Sequence, residues 1–307
     1  MKFRFKPKLV FGGLAVSAVL GLAASWWIGG RLVRPANRRV SLPEYLAIEN
    51  VAISGSGHSI AASWLEAGPS APAVLLLHAL RADRASMASR ARLLADRGFS
   101  VLLIDLQAHG ETPGSAITFG LRESADAHAA YLWLRRLQPR RRVGVIGCSL
   151  GGASVLLGPQ PSGFDAVVLE SVYPRVAPAV ENRIRIRLGS LAPALAPLLL
   201  AQLPLRLRVS AAELEPIRFI SNLGSPVLIV AGSDDRHTTL AESHQLFGAA
   251  VEPKKLWAVP GAKHQDFLAF DSKAYADNVV GFLDRHLRPS DGGDGYPSRT
   301  GRFRQST

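Results

Sequence analysis

The 307 residues contain a single cysteine, Cys148, which excludes an intramolecular disulfide and leaves the redox compartment open. There is no G-x-x-x-x-G-K-[ST] run to cradle phosphates and no H-E-x-x-H run to hold zinc. The "HALRADR" loop that follows an apolar strand is not a dinucleotide fingerprint. No cofactor and no metal is therefore expected. Acidic residues are missing altogether from residues 1–40, which carry Lys2, Arg4, Lys6, Lys8, Arg31, Arg34, Arg38 and Arg39. Residues 288–307 add Arg288, Arg299, Arg302 and Arg304 against Asp291 and Asp294, so the two ends account for most of the net charge of +12, and residues 41–287 are close to neutral. The basic excess thus reads as membrane flanks and a solvated tail rather than as a nucleic-acid surface.

What is present first is a long apolar run. Leu9 to Gly30 is 22 uncharged residues. At about 1.5 Å per residue it spans roughly 33 Å, against a bilayer core of about 30 Å. Trp26 and Trp27 stand near one end, where interfacial aromatics belong. The expectation is a single-pass membrane anchor within residues 1–40. A cleaved signal peptide is the rival, with Ala23-Ala24-Ser25 as small residues for cleavage, but the run is longer than a usual signal core. Positive residues flank both sides about equally. The orientation leans towards a cytoplasmic N-terminus, with the chain after the anchor on the extracytoplasmic side.

From Ile48 onward apolar strands alternate with helical stretches. "IENVAIS" and "SIAASWL" flank "GSGH" as a hairpin. "APAVLLLHAL", "FSVLLIDLQAHG", "RRVGVIG", "FDAVVLES", "SPVLIVAGSDD" and "KKLWAVPGAKH" follow as strands. Between and after them, "SMASRARLLADRG", "ESADAHAAYLWLRRL", "GGASVLL", "TLAESHQLFGAA" and "AYADNVVGFLDRHL" read as helices. This predicts an α/β fold, a mostly parallel central sheet with helices on both faces. The core falls into residues 41–172 and 223–288. Between them, residues 173–222 are rich in Pro, Leu and Arg and read as a helical lid insertion. Residues 289–307 read as a disordered tail.

"VGVIGCSLGGASVL" carries the chemistry. It places Ser149 in Gly147-Cys148-Ser149-Leu150-Gly151, a G-x-S-x-G match between a strand and a helix. A hydroxyl needs a base to become a nucleophile. His264 follows the last strand in "VPGAKHQDF", and two carboxylates, Asp234 and Asp235, follow the strand before it. Both loops leave C-terminal strand ends, where such sheets place active sites. His264 would take the serine proton, and an acid would hold its tautomer. His109, His237, His244 and His286 sit where packing, solvation or capping accounts for them, and Cys148 reads as a packing residue.

With these pieces, "LLLHALRADRASM", "LLIDLQAHGET", "GCSLGG", "AGSDDRHT" and "PGAKH", residues 48–288 resemble the α/β-hydrolase superfamily, and most closely its membrane-tethered, esterase-like members similar to serine aminopeptidase-type hydrolases. The resemblance implies a Ser149, Asp235 and His264 triad, the acid closing a G-x-x-D pattern at Gly232-Ser233-Asp234-Asp235. Asp234 is the alternative acid and Glu170 a more distant one. It also implies an oxyanion hole from the backbone N–H groups of Leu150 and Leu80, with His78-Ala79 standing where relatives carry His-Gly. His78 would be the structural histidine of that motif, and Asp105 a loop-fixing carboxylate. The implied activity is a carboxylesterase-like serine hydrolase (EC 3.1) acting on small-molecule or lipid esters or thioesters, lipophilic ones by the apolar lid. Peptide hydrolysis, acyl transfer on the same triad and a non-catalytic membrane-tethered scaffold are the alternatives. No nucleic-acid partner is expected.

Overall fold

Ala73–Leu77 and Val227–Gly232 are buried at every position, the pattern of strands covered on both faces. They belong to an eight-stranded sheet built from β1 (Glu49–Ser54), β2 (Ser59–Leu65), β3 (Ala73–Leu77), β4 (Ser100–Ile104), β5 (Val143–Cys148), β6 (Ala166–Glu170), β7 (Val227–Gly232) and β8 (Lys254–Val259). The coordinates are a computed structural model that describes residues 7–55, 57–137 and 139–288, with side chains from residue 19 onward. The expected disordered tail, 289–307, lies outside the described residues, as does the start of the expected anchor.

The strand order is β8-β7-β6-β5-β3-β4-β2-β1. The β1–β2 hairpin is antiparallel and β2 pairs antiparallel with β4, whereas every other neighbour pair is parallel. Parallel neighbours need crossovers, and the helices supply them. Alternation along each strand sends side chains to two cores. Leu75 and Leu77 join Ala127 and Leu134 of α3 (Glu123–Leu137) and Leu156 of α4 (Leu150–Leu157). Val74 and Leu76 join Ala91 and Leu94 of α2 (Ala88–Ala95) and Leu283 and Leu287 at the C-terminal end.

One helix starts differently from the sequence expectation. The helix expected over "SMASRARLLADRG" begins as a separate 3-10 turn, Arg84–Met87, because Asp83 caps it by accepting the Ala85 N–H. The last helix expected, residues 274–287, forms as one helical run from Ser272 to Leu287, with Asp271 as its cap and a π turn over Ala276–Val280. A short helix, Phe267–Phe270, capped by Asp266, precedes it.

Between β6 and β7 the chain leaves the sheet and forms α5 (Val176–Leu188), α6 (Ala192–Leu200) and α7 (Gln202–Leu207). Val176–Leu207 as a whole is long and apolar enough to cross a membrane by length and composition. It is not one straight rod, since the chain turns at Gly189 with φ 57° and α6 packs back on α5. Leu188, Leu191 and Leu205 of this insertion are exposed.

The N-terminal helix α1 (Pro7–Val33) runs past the expected Gly30. Its last turns rest on the insertion. Gln202 Nε2 donates to the Ser25 carbonyl and hydroxyl at 3.1 and 3.0 Å, and Arg206 donates to the Trp26 carbonyl and stacks on its ring. Gly29 permits this approach, because a Cβ there would lie 2.1 Å from Gln202 Oε1. Arg81 donates to the Arg31 and Arg34 carbonyls and so caps the end of α1.

Candidate active site

Ser149 joins β5 to α4 with φ 48° and ψ −105°, a conformation that side-chain-bearing residues rarely adopt. The turn can close because its flanking residues are glycines. A Cβ on Gly147 would lie 2.5 Å from Gly152 Cα, and one on Gly151 would lie 2.5 Å from the Leu77 carbonyl oxygen. The Ser149 N–H donates to the Glu170 carbonyl at 2.8 Å, tying the turn to the neighbouring strand end. Leu150 opens α4, so its N–H belongs to the first turn, which has no intrahelical acceptor.

Asp235 lies in the turn after β7 and is 4% exposed. One carboxylate oxygen accepts the backbone N–H groups of His237 and Thr238 at 2.7 and 3.0 Å. The other accepts His264 Nδ1 at 2.7 Å. Burial by itself would raise this carboxyl's pKa. The hydrogen bond and charge of His264, with the two N–H groups, outweigh it and hold the carboxyl below the usual aspartate value. Asp234 points away, exposed and bonded to the Ser233 hydroxyl. Glu170 is committed to Arg90. Of the three candidate acids, Asp235 is the one joined to His264. Ser149 and His264 line one cavity of about 210 Å³.

Ala79 and Ala82 line that cavity from the loop after β3, while the Leu80 side chain packs, half-buried, against the sheet core. Positive φ in this loop falls on Arg81, at 61°, so Ala79 carries none of the left-handed strain that favours glycine. His78 is fully buried. Its Nδ1 donates to the Ala79 carbonyl at 2.8 Å and its Nε2 accepts the Leu106 N–H at 3.1 Å. Burial lowers its pKa to about 4, so it is a neutral loop pin. His109, also buried, packs against His78 away from the cavity. Asp105 accepts the backbone N–H groups of Arg84 and Glu111 and pairs with the Arg84 guanidinium, fixing the loops on either side. Asp235, His237 and His264 each present one potential metal-ligand atom within 4.8 Å of the others.

The sheet thus has a parallel centre and an antiparallel edge, a strained serine at the β5–α4 turn and an Asp–His pair from the loops after β7 and β8. A model described as "Alpha/beta hydrolase family" matches residues 51–278. The chain belongs to the alpha/beta hydrolase family. It is 33% identical over 219 residues to the uncharacterized protein Rv2307c of Mycobacterium tuberculosis, covering 70% of this chain and 71% of that one. It is 24% identical over 215 residues to the uncharacterized protein YqkD of Bacillus subtilis, covering 69% and 70%. Its fold is similar to the esterase Pf2001 of Pyrococcus furiosus, with a TM-score of 0.68 at 19% identity, over 83% of this chain and all of that one.

This hydrolase also holds a buried group that sequence reasoning missed. Arg90, 3% exposed on α2, donates to Glu170 at 2.7 Å, to Asp266 at 3.0 Å and to the Tyr275 hydroxyl at 3.1 Å. Tyr275 donates to Glu170 at 2.5 Å. The brace joins the strand end beside Ser149 to the segment two residues beyond His264. Burial opposes the Arg90 charge, but Glu170 holds the guanidinium protonated. Cys148 lines the cavity with its thiol 3.3 Å from Glu170. Burial, then the Glu170 charge, push the thiol's pKa well up and leave it a poor nucleophile. A signal for Arg90 existed. It falls in the stripe Met87, Ala91 and Leu94 that faces the core, where an unpaired charge does not belong.

Proposed function

We propose that this hydrolase cleaves carboxylic esters or thioesters through an acyl-enzyme on Ser149, with His264 as general base and acid and Asp235 as its orienting carboxylate. The observation that carries this reading is the 2.7 Å bond from His264 Nδ1 to Asp235 at the rim of a cavity that also holds the strained Ser149. With Nδ1 carrying its proton towards Asp235, His264 Nε2 is the basic nitrogen. Nε2 takes the Ser149 proton as Oγ attacks the substrate carbonyl. The negative oxygen of the tetrahedral intermediate is held by the Leu150 N–H and by the loop after β3, for which Leu80 is the donor. Collapse breaks the ester bond, and His264 returns the proton to the departing alcohol or thiol. Water then attacks the acyl-Ser149, giving its proton to Nε2, and the carboxylic acid leaves as Ser149 is regenerated.

The same reading places the enzyme in a membrane through α1, with α5–α7 as a lid. Support comes from the exposed apolar side chains of α1, Val19, Leu20, Leu22 and Trp27, and from the exposed leucines of α5–α7 beside it. A lipophilic half of the ester would lie along this apolar surface. A fluorophosphonate probe followed by peptide mass spectrometry tests the nucleophile: the adduct is expected on Ser149, and Ser149→Ala is expected to abolish both labelling and p-nitrophenyl butyrate turnover. Ester turnover by Ser149→Ala at the wild-type rate would overturn the assignment.

A further inference from the structure

The loop after β3, which carries the Leu80 N–H, is bent against its own preference. Residues 79–82 form a turn closed by the Ala82 N–H, which donates to the Ala79 carbonyl at 3.1 Å. Arg81 stands third in that turn with φ 61°, a position where positive φ favours glycine. Ala79 and Ala82, at the two ends of the turn, line the Ser149 cavity. Among the described residues the Leu80 N–H has no protein acceptor, which leaves it able to donate to a substrate. A side-chain-bearing residue keeps positive φ only where its surroundings over-determine it.

The chain that leaves α1 does so here. The Arg81 guanidinium donates to the carbonyls of Arg31, of Leu32 at 3.5 Å and of Arg34 at 3.3 Å. From the other side, Arg38 Nη2 donates to the Arg81 carbonyl at 3.2 Å, and Arg38 Nε pairs with Asp83 at 2.6 Å. Capping α1 accounts for the Arg81 side chain but not for Arg38, whose side-chain bonds all go to this loop. The chain between the two contacts is itself fixed. The Val33 carbonyl accepts the Ile117 N–H at 2.9 Å, Ala36–Asn37 pairs in parallel with His109–Gly110, and Asn37 Nδ2 donates to the Thr112 carbonyl at 2.6 Å. Residues 31–38 are thus a strut, seated on the loop after β4 and gripping the loop after β3. Inside the molecule His78 ties the same two loops through the Leu106 N–H.

We propose that Arg38 and Arg81 are positioning residues for hydrolysis, holding the 79–82 turn in the conformation that presents the Leu80 N–H to the developing oxyanion. The proposal rests on the Ser149 reading and adds to it a device outside the cavity, by which the end of α1 sets the oxyanion hole. Neither arginine touches the substrate. An oxyanion donor acts only within about 2.7–3.1 Å of the charged oxygen, so a loosened turn costs rate rather than substrate binding.

The test uses the full-length protein in mild detergent, with p-nitrophenyl butyrate as substrate. Arg38→Ala and Arg81→Ala are each expected to lower kcat by about 10- to 100-fold with KM within about twofold, part of the roughly 10²–10³-fold cost of losing an oxyanion donor outright. An alkyl trifluoromethyl ketone supplies the second readout. Ser149 Oγ adds to its carbonyl carbon, the C=O electron pair moves onto the oxygen, and the hydroxyl proton passes to His264. Its inhibition constant is expected to rise in each variant by the factor by which kcat/KM falls. Arg38→Lys, which keeps a cation against Asp83, is expected to recover most of the loss. The Arg38 side chain is 48% exposed, so the melting temperature of its alanine variant is expected to stay near that of the wild type and covers the case of an unstable Arg81 variant. A kcat within twofold of wild type in both alanine variants, or a loss of turnover that the trifluoromethyl ketone does not follow, would overturn this proposal and leave the triad reading standing. No hydrolysis by the wild-type protein together with no fluorophosphonate adduct on Ser149 would remove both.

Discussion

Replacing Asp235 with asparagine tests the site at a single atom. Asp235 uses its two oxygens differently. One accepts two backbone N–H groups, from His237 and Thr238, and the other accepts His264 Nδ1. An asparagine keeps the two backbone bonds only by placing its carbonyl oxygen where the first oxygen stands. Its NH2 group then faces Nδ1 as a donor. His264 must meet it with an unprotonated Nδ1, which moves the ring proton to Nε2, the nitrogen that has to take the Ser149 proton. The fold keeps its contacts, so melting temperature is expected to change little. Turnover is expected to fall by roughly 10⁴-fold, the scale seen when a triad histidine is held in the wrong tautomer. That corresponds to about 5.5 kcal/mol of lost transition-state stabilisation. Asp234→Asn touches an exposed carboxylate bonded only to Ser233 and is expected to stay near the wild-type rate. Steady-state p-nitrophenyl ester kinetics on both variants, with thermal melts alongside, make the comparison. An Asp235→Asn enzyme within tenfold of wild type, or a larger loss in Asp234→Asn, would refute the reasoning.

Two further outcomes follow from buried and apolar groups. His78 and His109 are held neutral, each with a pKa lowered from 6.5 to about 4 mainly by burial. Their unfolded forms bind protons first as pH falls, so stability is intact above 6.5 and is lost between there and about 4. At pH 5 each is expected to cost about 2 kcal/mol, visible as a lower denaturation midpoint than at pH 7.5; equal midpoints at the two pH values would contradict the neutral assignment. The full-length chain is expected to stay with membranes through a carbonate wash, and a chain starting at Ser41 to be released; soluble full-length protein shortened to begin near Trp26 would establish a cleaved leader instead.

The sheet was legible because its strands are apolar throughout, so that "AVLLL" and "VLIVAG" stand out from the helices around them. Ser149, Asp235 and His264 were legible because each sits where a strand ends, and strand ends can be found in a sequence. Their partners were less so. That Asp235 rather than Asp234 meets His264 depends on a turn in which its other oxygen collects two N–H groups, and neighbouring aspartates do not announce that difference. The Arg90 brace joins positions 80, 176 and 185 residues apart, beyond any local pattern. The short helix Phe267–Phe270 was not legible, because four residues carry no helical periodicity and its start is set by the Asp266 side chain, which accepts the Leu268 and Ala269 N–H groups.

The cavity owes its form to two neighbouring strands that end alike. β5 runs into Ser149 and β6 into Ser171, both at φ 48°, and the Ser149 N–H bonds the carbonyl of Glu170 between them. Each positive φ costs on the order of 1–3 kcal/mol and persists only where its surroundings over-determine it. For Ser149 those surroundings are backbone contacts: Gly147 against Gly152, and Gly151 against Leu77. For Ser171 they are the Val230 carbonyl, the Thr238 hydroxyl and the brace that grips Glu170 one residue earlier. The same Arg90 that grips Glu170 also holds Asp266, on the segment that carries His264. A buried guanidinium is a costly way to stabilise a fold when apolar side chains could fill the space. Its worth here is positional, because it sets the His264 loop and the β6 end against each other, two walls of the cavity that holds Ser149.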